Sequence, residues 1–247
     1  SDEQINILFS SRIPRTVSIL LSGSSLALSG LIMQQMMQNK FVSPTTAGTM
    51  EWAKLGILMS LLFFPNGHIL IKLLFAVVLS IVGTFLFVQL INLIRVKDVI
   101  FVPLLGIMIG GILSSFTTFV ALRTNALQSI GNWLTGNFAV ITSGRFEVLY
   151  LTIPLLILAF VFANHFTIAG MGKDFSHNLG VSYEKIIKIA LFITATLTAL
   201  VVVTVGTLPF LGLIVPNIIS IYRGDHLKNA LPHTLMLGAI FVLIADI

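Results

Sequence analysis

Residues 11–35 read SRIPRTVSILLSGSSLALSGLIMQQ: Arg12 and Arg15 bracket Pro14, and an uncharged run follows. Two permanent cations beside so apolar a run either anchor the chain among lipid headgroups by snorkelling or meet something that waits on their side of the membrane. Other ionisable groups within apolar runs are few. Glu51 and Lys54 lie three apart on one helix, and Asp246 lies at the far end. Intramembrane charges ordinarily mark an ion or proton path. Glu51 and Lys54 are expected to pair with each other or to sit near the end of their span, and so short a set argues against a proton-driven carrier.

No catalytic constellation emerges. His68, His165, His177, His226 and His233 form no HExxH pair, no carboxylate pair is placed for acid–base work, and there is no cysteine for a disulfide or thiolate site. GMGKD at 170–174 resembles a phosphate loop only in outline. A Walker A needs Gly five residues before its Gly-Lys and Ser or Thr after it; Thr167 and Asp174 stand there instead. The chain is therefore not expected to be an enzyme, to bind ATP by this motif, or to need a metal or cofactor. It carries no aromatic-interleaved basic patch, so no nucleic-acid partner is expected.

The elements that must position these residues are dictated by lipid. Of 247 residues, 56% are hydrophobic and 9% charged, with a mean hydropathy of +1.03, whereas soluble domains carry about 25% charged residues. An all-α, polytopic transmembrane bundle is expected, because a helix needs about 20 apolar residues to cross the hydrocarbon core. Long runs lie at roughly 16–37, 44–64, 69–93, 99–121, 148–166, 186–205 and 230–247, and shorter ones at 126–141 and 209–222. The first short run is read as re-entrant and the second as a short crossing. A single transmembrane domain spans 1–247. Because the chain starts at Ser1 and stops within GAIFVLIADI, further membrane segments are expected beyond both ends.

Lys and Arg concentrate in cytoplasmic loops. With residues 1–15 outside, the inner loops hold Lys40, Arg95, Lys97, Lys173, Lys185, Lys188, Arg223 and Lys228, and the outer loops hold only Arg12, Arg15, Arg123 and Arg145. Lys54 and Lys72, within or beside spans, are left out of that comparison. Arg12 and Arg15 thus fall on the disfavoured, outer side.

Small residues recur at helical spacing: Gly23 and Ala27, Ser25 and Ser29, then Gly106, Gly110 and Ser114. Such faces let helix backbones approach closely in lipid. The SSFTT stretch, with Ser114, Ser115, Thr117 and Thr118, is also read as a candidate lining for a translocation pathway. The longest polar interruption, Gly170–Lys188, falls inside by the charge distribution. Gly172 and Gly180 bracket a short candidate helix with Phe175 and Leu179 on one side and Lys173, Asp174, His177 and Asn178 elsewhere. It is either a solvated loop or a surface helix that docks in a partner's groove.

Together these stretches resemble the permease subunits of bacterial binding-protein-dependent ABC importers for iron–siderophores, haem and vitamin B12. RIPR at 12–15 with GSSLALSGLIMQ at 23–34 resembles the opening of that family's second helix, and Gly172–Gly180 its cytoplasmic coupling loop. GTLPFLGLIVPNIISIYRGDHLKNALP at 206–232 and GAIFVLIAD at 238–246 resemble its later signatures, although Asn217 stands where His is usual. Asn39-Lys40-Phe41-Val42 stands where Asn-Pro-Leu-Ala is usual, and the SPTTAGTMEWAKLG that follows at 43–56 is similar to the subgroup handling catecholate-type ferric siderophores.

The resemblance implies a fragment of a roughly ten-helix permease, lacking one helix at each end, in a bacterial cytoplasmic membrane. It implies docking of an extracytoplasmic substrate-binding lipoprotein through Arg12 and Arg15, whose guanidinium groups flank a helix entrance and suit carboxylates. It implies coupling to a separate cytoplasmic ATP-binding subunit through about 170–184, with Gly172, Lys173, Phe175, His177, Leu179 and Gly180 at the contact. A second permease copy or paralogue and membrane lipid complete the partners. The rival reading is a proton- or sodium-coupled secondary transporter.

Overall fold

The computed structural model describes residues 8–94, 99–141 and 144–246. Within them the chain is helical, without strands. A π-helical turn, Leu8–Arg12, leads into α1 (Ile13–Met36), which carries Pro14 in its first turn, where a missing N–H costs nothing. There follow α2 (Thr49–Phe63), α3 (Ile69–Leu93), α4 (Phe101–Arg123) and the short α5 (Leu127–Leu134). Two 3-10 turns, Phe138–Val140 and Phe146–Leu151, precede α6 (Thr152–Ala169). The chain then forms α7 (Lys173–Asn178), α8 (Tyr183–Thr204), α9 (Leu211–Arg223) and α10 (Leu227–Asp246).

Six helical stretches among the described residues are long and apolar enough to cross a membrane, beginning at Leu8, Ile69, Phe101, Phe146, Tyr183 and Leu227. The run at 44–64, expected as a seventh, supplies only the 15-residue α2, about 22 Å at 1.5 Å per residue. Its first residues are consumed by a turn. Ser43 and Thr46 bond each other's backbone N–H at 2.8 and 3.2 Å, and Gly48 takes φ +76° before the helix starts. The short run at 209–222 yields the 13-residue α9, entered through Gly206 at φ +99° and Phe210 at φ +63°. Its Leu211, Val215 and Ile219 are buried, while Ile221 and Tyr222 are 80% exposed, so it is short as expected but only one face is covered by this chain.

α1 and α8 form the buried centre, with Leu26, Leu28, Ile32, Ile193 and Leu197 fully or almost fully enclosed. α1 packs on α10 and α9 through glycine. A Cβ added at Gly23 would strike the Gly238 carbonyl, and one at Gly30 would strike the Gly212 carbonyl. Backbones this close are the reward of small residues in a medium that gives helices no hydrophobic drive to associate. By contrast α4 is peripheral. Gly106 and Gly110 face the entrance of α2, where Gly106 leaves no room for a Cβ beside the Thr46 carbonyl, whereas Leu104, Ile107, Met108, Ile112, Phe116 and Phe119 are exposed.

The loops sort onto two ends. Lys40 pairs with Asp225, Gln38 Nε2 donates to the Gly170 carbonyl at 2.9 Å, and Lys173 lies 3.5 Å from Glu184, which gathers the 37–42, 170–184 and 223–226 segments at one end. Arg15 reaches Asp246 at the other. The segments bearing Lys40, Lys173 and Arg223 thus share one end and Arg15 lies at the other; Arg95 and Lys97 lie outside the described residues.

Candidate functional site

At the end that the charge comparison assigns to the outside, called the outer end below, Arg15 Nε donates to Asp246 Oδ2 at 2.8 Å and an Nη to the Asp246 carbonyl at 3.3 Å. Asp246 is the last residue of α10, so this pair ties the entrance of α1 to the exit of α10. Arg12 is exposed, and its side chain makes no ion pair among the described residues; its carbonyl accepts from the Thr16 hydroxyl at 3.0 Å. The two arginines thus differ: one is free to meet an incoming anion, the other already shares a carboxylate. A cavity of about 280 Å³ opens beside the pair, lined by Asn137, Leu208, Phe241 and Asp246 among others.

At the inner end, α7 is a single closed turn. Gly172 enters it at φ +109° and Gly180 leaves it at φ +71°. The Gly180 N–H bonds the His177 carbonyl at 3.0 Å and the Val181 N–H bonds the Ser176 carbonyl at 2.9 Å, the paired pattern of a Schellman C-terminus that requires a left-handed residue after the helix. Ser176 is buried, its hydroxyl bonded to the Gly172 carbonyl at 2.8 Å. That anchoring leaves Phe175 and Leu179, 47% and 55% exposed, together with exposed Lys173 and His177 facing water. Lys173 and Glu184 form only a solvated surface pair, worth at most about 1 kcal/mol.

Behind this turn lies a feature that spacing gave no hint of. The exit of α1 carries Gln34, Gln35, Gln38, Asn39 and Lys40, which line a polar cavity of about 410 Å³ with Gly170, Met171 and Asp225. Gln38 is held at φ +49° and bonds Gly170, two residues before Gly172. Asn217, at the position where the family resemblance led one to expect His, donates to the Lys40 carbonyl at 2.9 Å and to the Leu213 carbonyl at 2.8 Å. One short segment therefore touches the turn before α7, α9 and the α9–α10 corner.

The four α4 hydroxyls do not share one face. Ser115 and Thr118 are exposed and Ser114 half-buried; the Ser115 and Thr118 hydroxyls donate to carbonyls of their own helix at 2.9 and 2.8 Å. Thr117 points into the bundle, 5% exposed, with no hydrogen-bond partner for its hydroxyl among the described residues. Glu51 and Lys54 do pair, Lys54 Nζ donating to Glu51 Oε1 at 2.6 Å. They do so at mid-depth: the Glu51 side chain packs on Gly110, halfway along α4, and each of the two is only 20% exposed. Removing one partner strands a charge away from water. Lys54→Met is expected to cost about 3 kcal/mol, and Glu51→Gln combined with Lys54→Met to recover most of it. Thermal unfolding of the purified protein would show this as a lower midpoint for the single variant than for the double one; equal midpoints would mean that the pair is not coupled.

Comparison with known proteins decides the class. The sequence matches the FecCD transport family over residues 1–247. The chain belongs to that family. It is 54% identical over 247 residues to the petrobactin import system permease protein YclN of Bacillus subtilis, covering 100% of this chain and 78% of that protein. It is 37% identical over 240 residues to the ferric-anguibactin transport system permease protein FatD of Vibrio anguillarum, covering 97% and 76%. A solved structure described as an inward-facing metal-chelate type ABC transporter superposes with a TM-score of 0.83, at 22% identity, over 100% of this chain and 79% of that one. This FecCD chain is a multi-pass permease subunit of an ABC importer in a bacterial cytoplasmic membrane, a transporter component rather than an enzyme. The secondary-transporter reading is not favoured.

Proposed function

We propose that this permease carries an iron–siderophore complex inward, fed by an extracytoplasmic binding protein and driven by a separate ATP-hydrolysing subunit. The observation that carries the substrate class is the 54% identity, over the whole chain, with a petrobactin import permease. In this reading Arg12 and Arg15 receive carboxylates of the binding protein. Phe175 and Leu179, held outward by the closed α7 turn, enter a groove of the ATPase, with Lys173 and His177 at its rim. The exposed face of α4, bearing Ser114, Ser115 and Thr118, lines the pathway against a second permease copy or paralogue; Thr117, turned inward, packs rather than lines. The inner-end glutamines and Lys40–Asp225 pass movement of the α7 turn to α1, α9 and α10.

The coupling role is tested at Gly180. Valine there must adopt φ +71°, which costs about 1–2 kcal/mol for a residue bearing Cβ, or else open the turn and move Leu179. No atom lies within 4 Å of a Cβ at this position, so the folded bundle has room for it. Gly180→Val and Leu179→Asp are each expected to lower transport-coupled ATP hydrolysis and co-purification with the ATPase, while the binding protein still docks. Normal transport and co-purification in both would reduce the segment to a solvated loop.

A further inference from the structure

Lys72, set aside in the charge comparison, is the most deeply buried cation at the outer end, at 6% exposure. It occupies the first turn of α3, whose Leu70, Leu74, Val78 and Val82 are exposed at four-residue spacing. A residue two positions from Leu70 and Leu74 is rotated about 200° from both, so Lys72 turns inward, away from that lipid-facing stripe. Its Nζ donates to the Gly67 carbonyl at 2.6 Å and lies 5.3 Å from the centroid of the Trp133 ring. The Arg145 guanidinium lies 4.0 Å from the same ring and donates to the Val203 carbonyl at 3.3 Å, while its buried Nε has no hydrogen-bond partner among the described residues.

Among the described residues neither cation meets a carboxylate, whereas Arg15, Lys40, Lys54 and Lys173 each do. Two like charges against one indole repel, and burial pushes the Arg145 pKa below its usual value. Cation–π attraction of about 0.5–2 kcal/mol per contact offsets part of this, but a buried charge is ordinarily paired. The unpaired Nε is moreover on the edge by which a guanidinium grips an oxyanion with two parallel bonds.

We infer that Lys72, Arg145 and Trp133 form an oxyanion site at the outer end of the bundle, taking the carboxylate or phosphate group of a soluble molecule. The inward direction of Lys72 selects a solute over a lipid headgroup. Because Lys72 stands on α3, Trp133 on α5, and Arg145 beside the end of α8, an occupant would tie three elements together. The site is separate from Arg12 and Arg15 and does not depend on their proposed role.

Trp133 is its own reporter. Full-length permease in phosphatidylcholine nanodiscs is titrated with sodium citrate at ionic strength held constant with sodium chloride, and tryptophan emission is recorded. The expected result is a saturable change that Trp133→Phe removes. Lys72→Gln and Arg145→Lys are each expected to raise the half-saturating concentration at least about tenfold, the loss of roughly one charge-assisted bond. Arg145→Lys keeps the charge near Trp133 while replacing the two-pronged guanidinium by a single ammonium, so it decides the matter even where Lys72→Gln does not fold. A citrate response no larger than that to sodium chloride, or one unchanged in Arg145→Lys, would overturn the proposal. So would an emission change that appears only when phosphatidylglycerol replaces phosphatidylcholine, since a headgroup would then be the occupant.

Discussion

Reversing both charges at Arg12 and Arg15 is expected to weaken binding-protein docking about 100-fold in Kd, close to 3 kcal/mol, and to stop uptake. The two residues should not contribute in the same way. Arg12 is exposed and free of ion pairs among the described residues, so Arg12→Glu changes the surface charge and nothing inside. Its effect should fall mostly on the association rate and shrink as salt rises. Arg15→Glu sets a carboxylate against Asp246, where the native pair stands at 2.8 Å, and is expected to loosen the α1–α10 contact as well. Exchanging the pair, Arg15→Asp with Asp246→Arg, restores the internal bridge; it should recover folding without recovering full docking. Surface plasmon resonance with the binding protein at low and high salt, beside thermal unfolding, separates the two contributions. Unchanged affinity of the double Glu variant at low salt would remove the docking role.

Gly30→Val is expected to leave no folded permease. Even a Cβ at this position would overlap the Gly212 carbonyl, a backbone atom that cannot rotate away. Relief requires α1 and α9 to separate, and α1 is the helix on which α8, α9 and α10 all pack. Overpacking a side chain costs about 1–3 kcal/mol where neighbours can adjust; here backbone meets backbone and the cost should exceed that range. Gly111→Ala is the control, since nothing lies within 4 Å of its Cβ. Size-exclusion profiles after membrane extraction should show a monodisperse peak for Gly111→Ala and none for Gly30→Val. A normal peak for Gly30→Val would contradict the close crossing.

Much of this arrangement was legible because lipid imposes a simple rule on sequence. The apolar runs located the crossing helices, Pro14 marked the entrance of α1, and Gly172 and Gly180 marked the α7 turn, since each signal is local. The run at 44–64 misled because hydropathy does not distinguish helix from the Ser43–Gly48 turn, although Pro44 and Gly48 were signals for it. Pairings across long separations were not legible. Nothing in the spacing links Gly30 to Gly212, Arg15 to Asp246, or Lys40 to Asp225, because each depends on which helix becomes whose neighbour. Lys72 was hidden for another reason: one cation near a span end ordinarily snorkels, and only the orientation of α3 shows that it turns inward. For the α4 hydroxyls, composition named the stretch, while the facing of each residue had to come from packing.

What drives transport is open to direct measurement. Full-length permease, its ATPase partner and the binding protein, reconstituted in proteoliposomes, would be supplied with radiolabelled ferric siderophore on the binding-protein side and ATP on the other. Accumulation that requires both ATP and the binding protein, and that persists when a protonophore collapses the proton gradient, is the predicted result. Accumulation that follows an imposed proton or sodium gradient without ATP would contradict it.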